Sequence, residues 1–336
     1  MKESLLSLLR CPQEHSELTI TDVERADGEI KSGTLACGVC GATYVIKDFV
    51  PRFVPLSNYA DSFAYQRMQH ARLQMDKYNG TTIQRDTILS RSRWPEDFLR
   101  GRTLLECGCG AGPDTQVLLD LGAIVTSVDI SIGADFCRDN NYPNERLNVM
   151  QASIMNLPLK EESYDVVYCH RVIQHTPDPE ATFKEIVRYL KPGGTLFLHS
   201  YPKSFRHVLQ WKYWMRPLTK RMKPETLHKF ISWYAPFLHP IVGVLDRNRW
   251  TRQIHFHLLP YRNYRRIFPQ LSEQQLLEYG IHDTFDALAP AYDLPSSVAT
   301  ITRWLKEAGF SEFTFNQTKP IVVVAKKPVS GGKVTQ

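Results

Sequence analysis

From residue 101 onward the apolar positions switch between two spacings. Short apolar runs at Thr103–Cys107, Ile124–Asp129, Leu147–Gln151, Tyr164–Cys169 and Thr195–Ser200 have the length of strands. Helical patterns fit between them. One runs from Asp114 to Leu121, with Pro113 beside its start, and another from Pro179 to Leu190. Lys191-Pro192-Gly193-Gly194 should stop the second, because proline cannot continue a helix and glycine supplies a left-handed turn. A third helix, Val298–Ala308, ends at Gly309, and the runs Phe310–Asn316 and Ile321–Lys327 read as two closing strands. Strand and helix in alternation predict an α/β fold, a doubly wound and mostly parallel sheet with helices on both faces.

Around this core the pattern changes. Residues 1–56 carry cysteines, glycines and short β-like runs. Residues 57–100 read as a helical linker or lid, with Phe63, Met68, Leu73 and Met75 as its apolar face. Residues 101–200 form the core, 201–295 a basic aromatic insertion, and 296–330 the closing helix and strands. No internal repeat or low-complexity tract interrupts this order, and the tail Ser330-Gly331-Gly332-Lys333 is expected to fray.

Composition narrows the class. The chain has 336 residues, 43% of them hydrophobic and 11% aromatic, which excludes a disordered chain and gives room for two domains or one with elaborations. A net charge of +6 permits contact with phosphates or an anionic surface without requiring it. No window approaches the roughly 18 apolar residues of a membrane span. The leucines after Met1-Lys2-Glu3-Ser4 make too short a run for a signal peptide, so the expected location is cytoplasmic. Seven cysteines, an odd number gathered in short motifs, suit a reducing compartment with metal or free thiols.

The chemistry begins where the first core strand runs into Gly108-Cys109-Gly110-Ala111-Gly112. Glycines let the backbone turn sharply and approach a ligand, and the following helix adds free N–H groups. Asp129 ends the second core strand, where a carboxylate accepts ribose hydroxyls. Two details argue against a dinucleotide. Pro113 stands where the third glycine of G-x-G-x-x-G belongs, and Glu106 would repel a pyrophosphate but suits a ligand bearing an ammonium and a sulfonium.

Leu104-Leu105-Glu106-Cys107-Gly108-Cys109-Gly110-Ala111-Gly112 resembles the first motif of class I methyltransferases, and Val128-Asp129-Ile130-Ser131 the second. Asn156-Leu157-Pro158-Leu159 with Ser163–Val167, then Val172–Pro179, then Leu190–Gly194, are similar to the later motifs in the same order. The resemblance implies S-adenosylmethionine as cofactor. It implies that Gly108, Cys109 and Gly110 meet the methionine part, that Glu106 positions the ammonium, that Asp129 holds the ribose, and that Ile130 packs on the adenine. Ser153 and Ile154 would read the adenine edge, with Ser153 departing from the family's usual Asp, and His170 would face the methionine end.

A sulfonium methyl is already activated, so transfer depends on positioning, with a base needed only for a hydroxyl or protonated amine. His175, after the fourth core strand, is the candidate general base; packing or helix capping is its ordinary alternative. His199 and Tyr201 are further candidates at the carboxyl edge of the sheet.

Near the N-terminus, Cys11-Pro12-Gln13-Glu14-His15 and Cys37-Gly38-Val39-Cys40 look like the two knuckles of a zinc ribbon, and residues 32–55 resemble Trm112-like ribbons. Glu14 occupies the place of the usual second cysteine, so the ligand set implied is Cys11, His15, Cys37 and Cys40, or else a site that holds no metal. A four-ligand zinc would be structural, with no open position for catalysis. Ribbons of this kind bind methyltransferase domains as separate chains; here one would be fused in cis.

Between Tyr201 and Pro269 lie Lys203, Arg206, Lys212, Arg216, Lys220, Arg221 and further arginines, interleaved with Trp211, Trp214, Trp233 and Trp250, against only Glu225 and Asp246. Three readings stand: a cap around a small acceptor, an RNA-binding face, or a membrane-surface contact. The prolines at 202, 217, 224, 236, 240 and 260 argue against one long amphipathic helix. Asp286, Tyr292 and Asp293 are candidates to line the acceptor pocket. The expected function is methyl transfer to an oxygen or nitrogen of a small molecule, glycan or secondary-metabolite intermediate. RNA methylation and a non-catalytic scaffold are the alternatives.

Overall fold

A computed structural model describes residues 1–55, 58–203 and 209–329; Arg206 and the tail expected to fray lie outside the described residues. The chain forms two compact units. One comprises Met1–Asn58, Gln84–Pro202 and Tyr292–Gln336, the other Tyr59–Ile83 and Lys203–Ala291.

The larger unit is built on one sheet. Its strands are β1 (Leu18–Ala26), β2 (Glu29–Cys37), β3 (Thr43–Lys47), β4 (Val50–Arg52), β5 (Thr103–Cys107), β6 (Ile124–Asp129), β7 (Leu147–Gln151), β8 (Tyr164–Cys169), β9 (Leu190–Ser200), β10 (Glu312–Thr318) and β11 (Ile321–Lys326). They lie in the order β1-β2-β3-β4-β7-β6-β5-β8-β9-β11-β10. Strands β5 to β9 pair in parallel, and β11 inserts antiparallel between β9 and β10. This is the doubly wound, mostly parallel sheet that the alternating pattern predicts.

Alternation along each central strand feeds two cores. Leu105, Val167 and Leu198 pack with Phe183, Ile186, Ile301 and Trp304 on one face. Leu104, Val166 and Phe197 pack with Ile88, Trp94, Val117 and Leu118 on the other. Helices cover both faces, so the central strands are buried along nearly their whole length. The helix Pro179–Ile186 starts where the Asp178 carboxylate accepts the N–H groups of Glu180 and Ala181, with proline at its first position.

Several boundaries differ from the sequence reading: the helix expected over Pro179–Leu190 ends at Ile186, and the strand expected over Phe310–Asn316 spans Glu312–Thr318. Lys191-Pro192-Gly193-Gly194 is not a free turn but the start of β9. Gly193 N–H donates to Lys327 O and Lys327 N–H to Gly194 O. The left-handed Gly193 and a register shift between Tyr164 and Val166 absorb the irregularity within the ladder.

The N-terminal segment continues the same sheet. The meander β1–β4 joins β7 through the parallel pair Arg52 and Gln151, and Leu9 bridges Leu159. Leu5, Leu9, Leu35 and Ile46 share a core with Met150, Leu157 and Leu159. Arg52 locks this seam, donating to Asp135 at 2.7 Å and to Gln151 Oε1 at 2.8 Å.

The smaller unit is helical: Asp61–His70, Asp76–Asn79, Trp211–Thr219, Pro224–Leu245, Thr251–Leu258 and Glu273–Leu288. Two details of the sequence reading change here. Met68 is exposed, and Asp61–His70 instead buries Ser62 and Gln66, whose amide donates to the His282 carbonyl. The prolines do not prevent a long helix either. Pro224 starts it, and Pro236 and Pro240 lie inside it on exposed positions, where water can satisfy the carbonyls that lose a partner. Among the described residues no helix is long and apolar enough to cross a membrane.

Candidate cofactor and acceptor site

Strand β5 ends at Cys107, and the chain turns at Gly108 (φ 81°) so tightly that a Cβ there would meet Val172 Cγ2 at 2.4 Å. Gly112 (φ 87°) precedes the helix Pro113–Asp120, and a Cβ there would meet Asn141 Nδ2 at 2.3 Å. Both positions therefore demand glycine. Asp129, at the tip of β6, closes the loop: its Oδ2 accepts Gly110 N–H at 2.8 Å. Its Oδ1 accepts the Ser131 N–H at 2.8 Å and the Ser131 hydroxyl at 2.6 Å. Three of about four carboxylate lone-pair positions are thus taken, so a ribose diol would engage Asp129 fully only by displacing a partner, of which the Ser131 hydroxyl is the most movable.

Glu106 is 2% exposed on β5, and its Oε2 accepts Thr115 Oγ1 at 2.5 Å and Ser127 Oγ at 2.6 Å. Burial nevertheless pushes its carboxyl up to about 8. Cys109 is buried, and burial with Cys137 beside it raises its thiol well above the usual range. Ile130 is half-buried, its carbonyl held by Asn58 Nδ2 at 2.9 Å and Gln151 Nε2 at 3.1 Å. Ser153 Oγ accepts Met155 N–H at 3.2 Å and so caps its own turn, while Ile154 is buried in the core.

Beyond the loop the carboxyl ends of β8 and β9 gather polar groups. His170 Nδ1 lies 2.6 Å from Asp114 Oδ2, and Arg91 Nη1 lies 2.6 Å from its Nε2. Since the guanidinium only donates and the carboxylate accepts, the ring is neutral with its proton on Nδ1. Burial drives the His170 imidazole down to about 4, and the Asp114 carboxyl sits well below its ordinary range, held there chiefly by His170. The His199 ring stands edge-on to His170 at 4.9 Å.

Among the described residues, two buried groups at this edge lack partners. Gln174 is 0% exposed, and neither its Oε1 nor its Nε2 has a hydrogen-bond partner. His199 is 2% exposed, and its Nδ1 is equally unpartnered. Leaving such groups unsatisfied costs about 1–3 kcal/mol each, a cost relieved when a ligand or water meets them. His175 follows in the same turn; its Nδ1 donates to the Tyr292 carbonyl at 3.0 Å, which puts the lone pair on Nε2. Tyr201 stands edge-on to both His175 and His199.

The sequence-predicted residues are thus placed in two groups within the larger unit. Glu106, Gly108, Cys109, Gly110, Asp129 and Ile130 surround the glycine loop, and His170, His175, His199 and Tyr201 stand at the ends of β8 and β9. Asp286 instead belongs to a helix of the smaller unit. Sequence reasoning missed Arg91, Asp114 and Gln174. A lone amide among apolar neighbours in Val172-Ile173-Gln174-His175 was a usable signal; nothing in the chain order signalled Arg91.

A separate cluster lies in the N-terminal segment, where the sulfurs of Cys11, Cys37 and Cys40 fall within 4.8 Å of one another. His15 is not in the group. It is exposed, in a tight loop closed by His15 N–H to Cys11 O, and Ser16 Oγ stands 3.1 Å from Cys37 Sγ instead. Hydrogen bonds from the Cys40 backbone and the Ser16 hydroxyl lower the Cys37 thiol to about 6. Three converging thiols, one poised as thiolate, fit a thiophilic cation such as zinc, with Cys11 and Cys37 buried and Cys40 exposed.

Residues 105–198 match the methyltransferase domain family, and residues 2–48 match the Trm112p-like proteins. The ubiquinone biosynthesis O-methyltransferase of Coxiella burnetii is 30% identical over 144 residues, covering 42% of this chain and 59% of that protein. The protein of the same name from Methylococcus capsulatus is 28% identical over 159 residues, covering 46% and 62%. The chain thus spans less than two thirds of the length of these curated relatives. Among solved structures, the complex between the Haloferax volcanii Trm112 methyltransferase activator and a methyltransferase matches at 22% identity, covering 46% of this chain and 65% of that one, with a TM-score of 0.37.

Proposed function

We propose that the protein transfers a methyl group from S-adenosylmethionine to an oxygen of a small-molecule acceptor, a reading supported by the match of residues 105–198 to the methyltransferase domain family and of residues 2–48 to the Trm112p-like proteins. The glycine loop closed by Asp129 supports the cofactor. The backbone of Gly108 and Gly110 meets the methionine part, Asp129 receives the ribose, Ile130 flanks the adenine, and Ser153 and Ile154 line its edge. Glu106 supplies a buried carboxyl for the ammonium. When bound, the cofactor supplies a methyl already activated on a sulfonium.

The observation that carries the acceptor class is a pair of buried, unpartnered polar groups, the Gln174 amide in the turn after β8 and the His199 Nδ1 on β9. Both are buried at the carboxyl edge of the sheet, and unmet hydrogen-bonding capacity there favours a compact polar acceptor. His175 serves as base for an acceptor hydroxyl, its Nε2 lone pair fixed by the Nδ1 bond to Tyr292. The neutral His170, clamped between Arg91 and Asp114, shapes the wall without titrating at neutral pH. The relatives named for O-methylation favour oxygen over nitrogen.

The test is incubation with methyl-labelled S-adenosylmethionine and fractionated cell extract, with and without ribonuclease. Label in a low-molecular-weight, ribonuclease-resistant product supports the reading. Label in an RNase-sensitive fraction replaces the acceptor with RNA, and cofactor binding without turnover on any fraction supports a scaffold.

A further inference from the structure

The long helix of the smaller unit carries two apolar faces with different fates. Leu227, Ile231, Ala235 and Val242 are buried in the unit's cores. Phe230, Trp233, Phe237, Ile241 and Val244 are exposed, Trp233 by 68% and Phe237 by 67%. Their spacing of three and four residues puts them on a single stripe along a helix about 33 Å long. The stripe is continuous: Phe230 stacks on Trp233 at 6.2 Å, and Trp233 meets Phe237 edge-on at 6.4 Å. The neighbouring helices add exposed Trp214 and Leu218, and Trp250 and Leu258. So much exposed aromatic surface on one unit marks an interaction face.

Charge selects the partner. Exposed Lys220, Arg221 and Lys223 precede the helix, Arg247 and Arg249 follow it, and Lys229 flanks the stripe. Of the two acids between Tyr201 and Pro269, Asp246 is buried against His255, leaving Glu225 as the exposed one. Arg249 lies over the Trp250 ring at 4.7 Å, an aromatic paired with a cation. A helix with Trp and Phe along one side and cations at both ends, not apolar enough to span a bilayer, has the build of one lying in the interface plane.

We infer that the smaller unit docks on an anionic phospholipid bilayer through the Phe230–Val244 stripe, with the flanking lysines and arginines on the headgroups. The docking is independent of the reaction proposed above.

The experiment is co-sedimentation of the full-length protein with vesicles of phosphatidylcholine alone and of phosphatidylcholine with phosphatidylglycerol. Binding should be at least tenfold stronger to the anionic vesicles and should fall with salt. W233E/F237E should lose at least tenfold, and R247E/R249E, outside the helix, should weaken binding by a smaller factor. Both variants should keep the wild-type circular dichroism and affinity for S-adenosylhomocysteine. If W233E/F237E misfolds, R247E/R249E and a blue shift of wild-type tryptophan emission on anionic vesicles test the same claim. Failure to bind anionic vesicles, equal binding to both kinds, a concentration-dependent dimer abolished by W233E/F237E without vesicle binding, or binding of single-stranded RNA in place of vesicles would each overturn the inference.

Discussion

Arg91 donates through Nη1 to Nε2 of His170 at 2.6 Å, and this bond decides the charge state of a buried histidine at the carboxyl edge of the sheet. With a permanent cation on one nitrogen and Asp114 on the other, the ring stays neutral, and burial lowers it to about 4. The unfolded chain binds this proton near 6.5, so from pH 6.5 upward the group contributes no pH dependence. As pH falls from 6.5 toward 4, protonation favours the unfolded state and stability drops. Urea midpoints at pH 7.5 and pH 5 should show the loss, and replacing His170 with Gln should shrink it.

Glu106 gives the opposite proton balance. Its carboxyl, raised to about 8 by burial, is mostly protonated at pH 7 in the free protein. An ammonium brought beside it favours the charged form, so cofactor binding should release a proton. The folded-state value lies above the unfolded one, so Glu106 also costs stability as pH rises from about 4.5 to 8. Calorimetry of S-adenosylhomocysteine at pH 7 in two buffers of different ionisation enthalpy should give different apparent heats; E106Q should give equal ones.

Gln174 separates stability from function. Its amide is buried and unpartnered, so Gln174→Met should leave the fold intact or stabilise it by about 1–3 kcal/mol. The same variant should lose methyl transfer while keeping cofactor affinity. Thermal melts, cofactor calorimetry and label incorporation together check this; a destabilised variant with full activity would contradict the role.

The cysteine cluster predicts one zinc per chain. Cys37→Ser should abolish it in elemental analysis, and His15→Ala should leave it, because His15 lies outside the group of sulfurs. Since the segment shares a core and a sheet with the methyltransferase domain, metal removal should lower the melting temperature of the whole larger unit rather than release a separate transition.

The doubly wound core was legible because β5–β9 are nearly continuous apolar runs separated by helical spacing and turn residues, a local signal. The glycine loop and Asp129 were legible as types at a spacing. What chain order hides is pairing at a distance. Arg91 meets His170 across the fold from a helix of polar residues, and Ser16 rather than His15 approaches Cys37 because the loop's hydrogen bonds settle which neighbour points inward. Pro236 and Pro240 misled because proline breaks helices in general, whereas here both fall on exposed positions.

The most direct test of the central claim is calorimetric titration of S-adenosylhomocysteine into the wild-type protein and Asp129→Ala. The account predicts one site per chain in the wild type and about ten- to a hundredfold weaker binding in the variant, the worth of charge-assisted hydrogen bonds to the ribose. No uptake by the wild type, or equal affinity in the two, would contradict it.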